Sequence, residues 1–302
     1  MKKILITGAS GLVGKASVEH CRAQGDEVVA YDRRWLDIGD AEKVAAVVSA
    51  ERPDAVINCA AWTDVDGCEN DPAKAERANA TGPENLARAC RLVDAGLLTI
   101  STDYVFDGSK DGFYTQRDQP RPLSVYGRFK LEGERRSQAE HARTIVVRTG
   151  YIFGPGGRNF LSTIVERAKR GEELKVITDC FGTPTYARDL AARLRELVEL
   201  DLPGIFQVVN AGDGASFETF TREALKLAHC ERTIVEPVSM DSLSRPAPRP
   251  RNSKMKCLLS EAIGLPPLPH WQEGLAHFVV RLENAEGVGE FSAPGWNNPG
   301  IG

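Results

Sequence analysis

No stretch of this chain is apolar for long enough to cross a bilayer, which takes roughly 20 residues. The opening Met1-Lys2-Lys3-Ile4-Leu5-Ile6-Thr7-Gly8 has the basic start of a secretion signal, but glycine and polar residues follow at once and leave no apolar core for one. A cytoplasmic location is therefore expected. Basic excess is also missing. The 38 Lys and Arg stand against 42 Asp and Glu, a formal net charge of -4, so neither nucleic acid nor an anionic membrane is an expected partner. The 7 cysteines are an odd number without a Cys-x-x-Cys, and the 5 histidines show no ligand spacing. That argues for reduced thiols and against a disulfide framework or a metal site. Asp64, Asp66 and Glu69 crowd together but read as a solvated loop. No repeat of solenoid period is present.

What is present is an alternation of short apolar runs and helical stretches. With 302 residues, 42% of them hydrophobic, the chain can bury one large or two small cores. Residues 2–7 read as a buried parallel strand, followed by Gly8-Ala9-Ser10-Gly11-Leu12-Val13-Gly14 and a helix over residues 15–24. Strand, glycine turn and helix form a dinucleotide-binding start. Gly8 permits the turn, Gly11 lets backbone N–H groups approach a pyrophosphate at the helix N-terminus, and Gly14 lets helix lie close on strand. The next strand, 27–31, ends at Asp32. Its carboxylate can accept from ribose hydroxyls, while Arg33 beside it can clamp a 2′-phosphate, so NADH and NADPH are both open. Asp37 reads either as an adenine contact or as a turn residue, with Ile38 packing on the base. A third strand, 54–61, ends in the small Ala60 and Ala61, leaving room for a cofactor, with Trp62 as an apolar wall and Thr63 as a hydroxyl. Asp71-Pro72 starts a helical region running to about residue 94. Within it, Asn79 faces the active site or caps a buried kink.

The fourth strand carries Leu97-Leu98-Thr99-Ile100 and ends at Thr102. After a loop, Tyr126-Gly127-Arg128-Phe129-Lys130 puts a phenol and an ammonium one turn apart on a helix. Alone this spacing is a weak signal, since many amphipathic helices carry it. A nearby ammonium is expected to lower the phenol pKa toward neutrality, and the Thr102 hydroxyl to hold the same oxygen that Tyr126 protonates. Together they suit reversible carbonyl reduction. Residues 144–149 make a fifth strand. Later stretches read as a helix (161–170), a strand (174–177), a turn (181–185), a helix (189–200) and a strand (204–210) returning to the sheet. The run Arg245-Pro246-Ala247-Pro248-Arg249-Pro250-Arg251 reads either as an extended solvated linker or as arginines facing a diphosphate. The expected fold is α/β, a Rossmann-like doubly wound parallel sheet with a smaller C-terminal substrate-binding domain. Residues 1–152 and 186–210 are assigned to the first domain, 153–185 and 211–286 to the second, and 287–302 to a disordered tail.

These motifs, in this order, resemble the extended short-chain dehydrogenase/reductases, and within them the dTDP-4-dehydrorhamnose reductases. The resemblance rests on Gly8-x-x-Gly11-x-x-Gly14, Val56-Ile57-Asn58-Cys59-Ala60-Ala61, Ser101-Thr102-Asp103-Tyr104-Val105-Phe106-Asp107-Gly108, Tyr126-Gly127-x-x-Lys130-Leu131-x-Gly133-Glu134, Phe181-Gly182-x-Pro184-Thr185 and Arg249-Pro250-x-Asn252-Ser253. It implies a cofactor, NADPH or NADH, held by Gly8, Ser10, Gly11, Leu12, Val13, Asp32, Arg33, Asp37, Ile38, Ala60, Ala61, Trp62, Thr63, Asn79, Tyr126 and Lys130. Thr102, Tyr126 and Lys130 are the implied catalytic set. The implied substrate is a nucleotide-linked 4-keto-6-deoxysugar, touched by Thr102, Asp103, Tyr104, Tyr151, Asn159 and Arg249. Tyr151 stands where the family commonly has Trp, which leaves the sugar itself open. Another nucleotide-sugar reductase, a 4-epimerase, or a non-catalytic subunit resembling the regulatory beta subunit of methionine adenosyltransferase are the alternatives. No oligomeric state is assigned.

Overall fold

The computed structural model describes residues 1–157 and 159–286. The tail expected over 287–302 lies outside the described residues. Five strands, β1 (Lys3–Thr7), β2 (Glu27–Tyr31), β3 (Ala55–Asn58), β4 (Gly96–Thr102) and β5 (Thr144–Thr149), join a late strand, Gly204–Gln207, in one sheet. Across the sheet the order is Gly204–Gln207, β5, β4, β3, β1, β2, and every pairing is parallel. The doubly wound expectation holds, including the return of the late strand. Parallel strands need a helical crossover between them, and helices on both faces bury them twice over. That is why Leu5, Val56, Ile57 and Leu98 have no exposed surface. The order of strands reverses between β1 and β3, so the connections that leave their paired carboxyl ends part and open a crevice there.

Helices α1 (Leu12–Ala23) and α2 (Ala41–Glu51) follow the first two strands as expected. Between β3 and β4 the chain departs from expectation. The acidic segment read as a loop is a helix, α3 (Val65–Asn70), because Asp64 caps it by accepting the Gly67 N–H at 2.9 Å. Asp71 and Pro72 do begin the next helix, α4 (Pro72–Glu76). It then widens into a π-helical turn, Arg77–Thr81, before α5 (Gly82–Val93). Pro83 explains the widening. It has no N–H for the Asn79 carbonyl, and its ring crowds that carbonyl, so the ladder slips by one residue.

Helix α6 (Val125–Glu140) lies against this turn and the sheet. Its closeness depends on two glycines. A Cβ on Gly127 would come within 2.3 Å of the Tyr104 carbonyl oxygen, and one on Gly133 within 2.2 Å of the Asn79 carbonyl oxygen. Directly after Gly133, Glu134 accepts from Arg148 Nε at 2.9 Å, from its NH2 nitrogen at 2.7 Å, and from Ser101 Oγ at 2.5 Å. Both charges are buried, and the guanidinium lies over the Phe106 ring.

Beyond β5, α7 (Phe160–Lys169), α8 (Ala187–Leu200), α9 (Phe217–Leu227), α10 (Leu258–Ala262) and α11 (Trp271–Glu286) follow. Helix α8 packs on α1 against the sheet. Phe153, Tyr186, Phe220, Trp271 and Phe278 make a separate aromatic core. The run read as a turn over 181–185 instead starts and ends in two short strands, Phe181–Gly182 against Ala215–Ser216 and Thr185–Tyr186 against Ile152–Phe153. Glu134→Gln is expected to leave the Arg148 guanidinium buried without a counter-charge, a cost of about 3–5 kcal/mol. Urea unfolding of the variant against the parent protein measures it.

Candidate active site

The crevice between the ends of β1 and β3 is a cleft of about 590 Å³. Its floor and walls include Gly8, Ser10, Gly11, Arg33, Asp37, Ile38, Ala60, Ala61 and Trp62, nine of the residues expected at a cofactor. Gly8 has φ 64°, and a Cβ there would fall 2.6 Å from the Ala60 backbone nitrogen, so only glycine lets the two strand ends approach. Helix α1 begins at this point with no side-chain cap and no acid in its first turn. Its amides and positive dipole end are thus left for an anion, which fits a pyrophosphate. Leu12 packs toward Ala187 and Ala191, and Val13 against the sheet core, and neither lines the cleft.

Several expected contacts are rearranged. The Asp32 carboxylate accepts from Arg34 Nε at 3.1 Å, from its NH2 nitrogen at 2.7 Å, and from the Arg34 backbone N–H, so it is engaged by its own loop. Arg33 lines the cleft with no ion pair among the described residues. Asp37 accepts the Gly39 N–H as a turn residue and also pairs with Arg77 at 3.0 Å. Asn79 does not face the cleft. It is 1% exposed, and its amide bonds both the N–H and the C=O of Trp62 at 2.9 Å. It tethers the cleft wall, closer to the kink reading than to a ligand. Thr63 is exposed and does not line the cleft. Trp62 has the Lys74 ammonium 3.9 Å from its ring centroid, and it packs in the same apolar cluster as Tyr126. Trp62 thereby links the cleft wall to the expected catalytic set, none of whose three residues lines the cleft itself.

That set converges at the carboxyl end of β4. Thr102 ends the strand, and α6 carries Tyr126 and Lys130 down onto it. The Thr102 hydroxyl lies close enough to the Tyr126 phenol to act on its pKa. Burial pushes the Tyr126 pKa above its usual value, while the Thr102 hydroxyl acts the other way. Lys130 is 4% exposed and donates from Nζ to the Ile100 carbonyl at 2.6 Å. Burial lowers its pKa to about 8, with the Glu134 carboxylate opposing. Burial thus acts against the expected lowering of the phenol, and the group that does lower it is the Thr102 hydroxyl rather than the lysine.

On the expected substrate side, Tyr104 meets Tyr126 edge to face at 6.1 Å between ring centroids. Asp103 is 4% exposed and held by two hydroxyls, Thr102 and Ser253. Tyr151 adopts φ 49°, stacks on Phe217 at 4.6 Å, and has its ring against Gly182, where a Cβ would come within 2.2 Å. One of its faces is therefore already covered. Asn159 is a helix cap: it accepts the Ser162 N–H and donates to the Gly154 carbonyl, ordering the loop before α7. Arg249 forks onto Asp66, at 3.0 and 2.8 Å, so the acidic segment read as solvated neutralises it. Arg251 pairs with Asp179 and Asp241. Arg245 is different. It is half-buried near Tyr104, Cys180 and Arg249, burial and then Arg249 lower its pKa, and it has no ion pair among the described residues. Nothing in the Arg-Pro pattern distinguishes it from Arg249; only the position of Asp66 does.

The chain matches a family described as the RmlD substrate binding domain over residues 1–284. A protein of Mycolicibacterium smegmatis named dTDP-4-dehydrorhamnose reductase is 38% identical over 287 residues, 94% of this chain and 87% of its own. One of the same name from Streptomyces griseus is 39% identical over 284 residues, 92% of this chain and 93% of its own. The crystal structure of dTDP-4-dehydrorhamnose reductase from Bacillus anthracis in complex with NADP superimposes with a TM-score of 0.90 at 34% identity, covering 93% of this chain and 99% of that one. With the glycine cleft at the switch point and Thr102, Tyr126 and Lys130 gathered beside it, these matches make the chain a member of the RmlD family of extended short-chain dehydrogenase/reductases.

Proposed function

We propose that the protein reduces the C4 ketone of a nucleotide-linked 4-keto-6-deoxysugar with NADPH or NADH, dTDP-4-dehydro-L-rhamnose going to dTDP-L-rhamnose. The observation that carries this reading is the meeting of Thr102, Tyr126 and Lys130 at the end of β4, beside a cleft with an uncapped helix start. A bound dihydronicotinamide supplies the hydride. The chain supplies the proton. Tyr126, kept protonated by burial, gives its O–H to the carbonyl oxygen as that oxygen becomes an alkoxide. Lys130, on the same helix face, would hold the nicotinamide ribose through its ammonium. Trp62, tethered by Asn79, would wall the nicotinamide from water. The elements after β5 would form the substrate side, and a cytoplasmic location suits a reaction that consumes reduced nicotinamide.

Two charges sharpen the reading. Since Arg34 occupies Asp32, the carboxylate is drawn away from ribose hydroxyls, whereas Arg33 is left for a 2′-phosphate. NADPH is therefore favoured over NADH. Arg245, without an ion pair among the described residues although Asp66 is near enough to raise its pKa, would meet the substrate diphosphate, a role Arg249 gives up to Asp66.

Cofactor oxidation measured over a panel of dTDP- and UDP-4-keto sugars tests the reaction. Turnover is expected with a dTDP-4-keto-6-deoxysugar, and none with any member of the panel sinks the reading. Tyr126→Phe should lower kcat about 100- to 10,000-fold while NADPH still binds by fluorescence. Arg33→Ala should raise KM for NADPH about 10- to 100-fold, the loss of one charge-assisted bond, and leave KM for NADH nearly unchanged. Arg245→Ala should raise KM for the nucleotide sugar about tenfold or more, with the KM for NADPH as the internal control.

A further inference from the structure

The cofactor cleft carries a cation that the reaction as described does not use. Lys74, on α4, lines the same cleft as Gly8, Ser10 and Gly11. Its ammonium stands 3.9 Å from the centroid of the Trp62 ring, and Trp62 lines the cleft too. Lys74 has no ion pair among the described residues. The carboxylates lining the cleft are engaged elsewhere. Asp71 caps α4, accepting the Lys74 backbone N–H at 3.0 Å, and Asp37 pairs with Arg77. Glu76, two residues on, pairs with Arg136. The ammonium is therefore held by the π-face of an indole. Such a contact is weak beside water, and weaker than a charged hydrogen bond to a phosphate oxygen. A compact ammonium on a flexible four-carbon stem can leave the ring without moving the backbone.

The side of the cleft built by the glycine turn needs such a partner. The start of α1 presents roughly half a positive charge, short of the two ionised phosphates of a dinucleotide. Lys15, near that helix start, does not make up the difference, because its Nζ donates to the Gly156 carbonyl at 2.7 Å. Arg33 stands just past β2, where the 2′-phosphate of NADPH would lie, and Arg77 is spent on Asp37. Lys74 is the remaining cation of the cleft, and it comes from α4, not from the turn that offers its amides.

We propose that Lys74 is a cofactor-binding residue, which leaves the Trp62 ring and closes from α4 onto the diphosphate that the glycine turn and the start of α1 hold from the other side. This rests on the reading of the cleft as a nicotinamide-dinucleotide site. A diphosphate is common to NADPH and NADH, so the charge on Lys74 strengthens both alike, whereas that on Arg33 serves NADPH alone.

Isothermal titration of the full chain with NADPH, NADH and ADP-ribose, in the absence of sugar, tests this. Lys74→Met keeps the stem beside Trp62 and removes the charge. It should raise Kd about tenfold for all three ligands, the loss of one charged contact to a phosphate at an exposed position. Lys74→Arg should restore most of the affinity. The melting of the ligand-free protein should stay the same in both variants, since an exposed side chain with no ion pair contributes little to folding. An unchanged Kd in Lys74→Met overturns the proposal. So does a loss confined to NADPH, which would put Lys74 at the 2′-phosphate, and so does a loss that spares ADP-ribose, which would make it act on the nicotinamide through Trp62. The titrations need no turnover. A parent protein that binds NADPH and reduces no sugar overturns the reading of the reaction, and the three constants still decide on Lys74. A parent protein that binds none of the three ligands overturns the reading of the cleft and the proposal with it.

Discussion

Helix α6 can lie on the sheet only because two of its residues have no side chain. At Gly127 and Gly133 the backbone comes against the Tyr104 and Asn79 carbonyls at distances any Cβ would violate. Everything chemical in the site depends on that contact. It brings Tyr126 down to Thr102, lets the Lys130 ammonium reach the Ile100 carbonyl, and buries Glu134 deeply enough to need Arg148. The same approach touches the π-helical turn whose Asn79 holds Trp62. Cofactor wall and proton donor are thus set by one helix packing.

Close packing also decides the electrostatics. A phenol and an ammonium near each other in water would lower the phenol pKa. Here both are dry, and desolvation penalises each charged form. Tyr126 moves up and Lys130 moves down to about 8. At neutral pH the phenol is therefore neutral, while Lys130 still carries its proton. That favours Tyr126 as a proton donor over a standing base.

A second rule governs the arginines. Where a carboxylate lies within reach, the guanidinium forks onto it, and the charge is spent within the protein. Asp32 takes Arg34, Asp66 takes Arg249, and Asp179 with Asp241 takes Arg251. Arg33 and Arg245 stand one or a few residues away without such partners, one at the cofactor cleft and one at the substrate side. The anion-binding capacity of the chain is what remains after these internal pairings.

Local chemistry was enough to read the sheet strands, the glycine turn and the Asp71-Pro72 helix start from the amino-acid order, because each is specified by neighbours a few residues apart, whereas the trio Thr102, Tyr126 and Lys130 needed the resemblance carried by several motifs in order. Periodicity reports which side chains face inward, and glycine and proline report where the backbone must bend. The roles of Asp32, Asn79, Tyr151, Asn159 and Arg249 depended on partners that no window contains: Arg34 folding back, the Trp62 backbone, Phe217, a loop carbonyl, and Asp66 lying 183 positions away. The pKa of a buried group is of the same kind, since it is set by how much water surrounding elements remove. Order along the chain determined which groups were available; packing decided which of them kept their charge, and for whom.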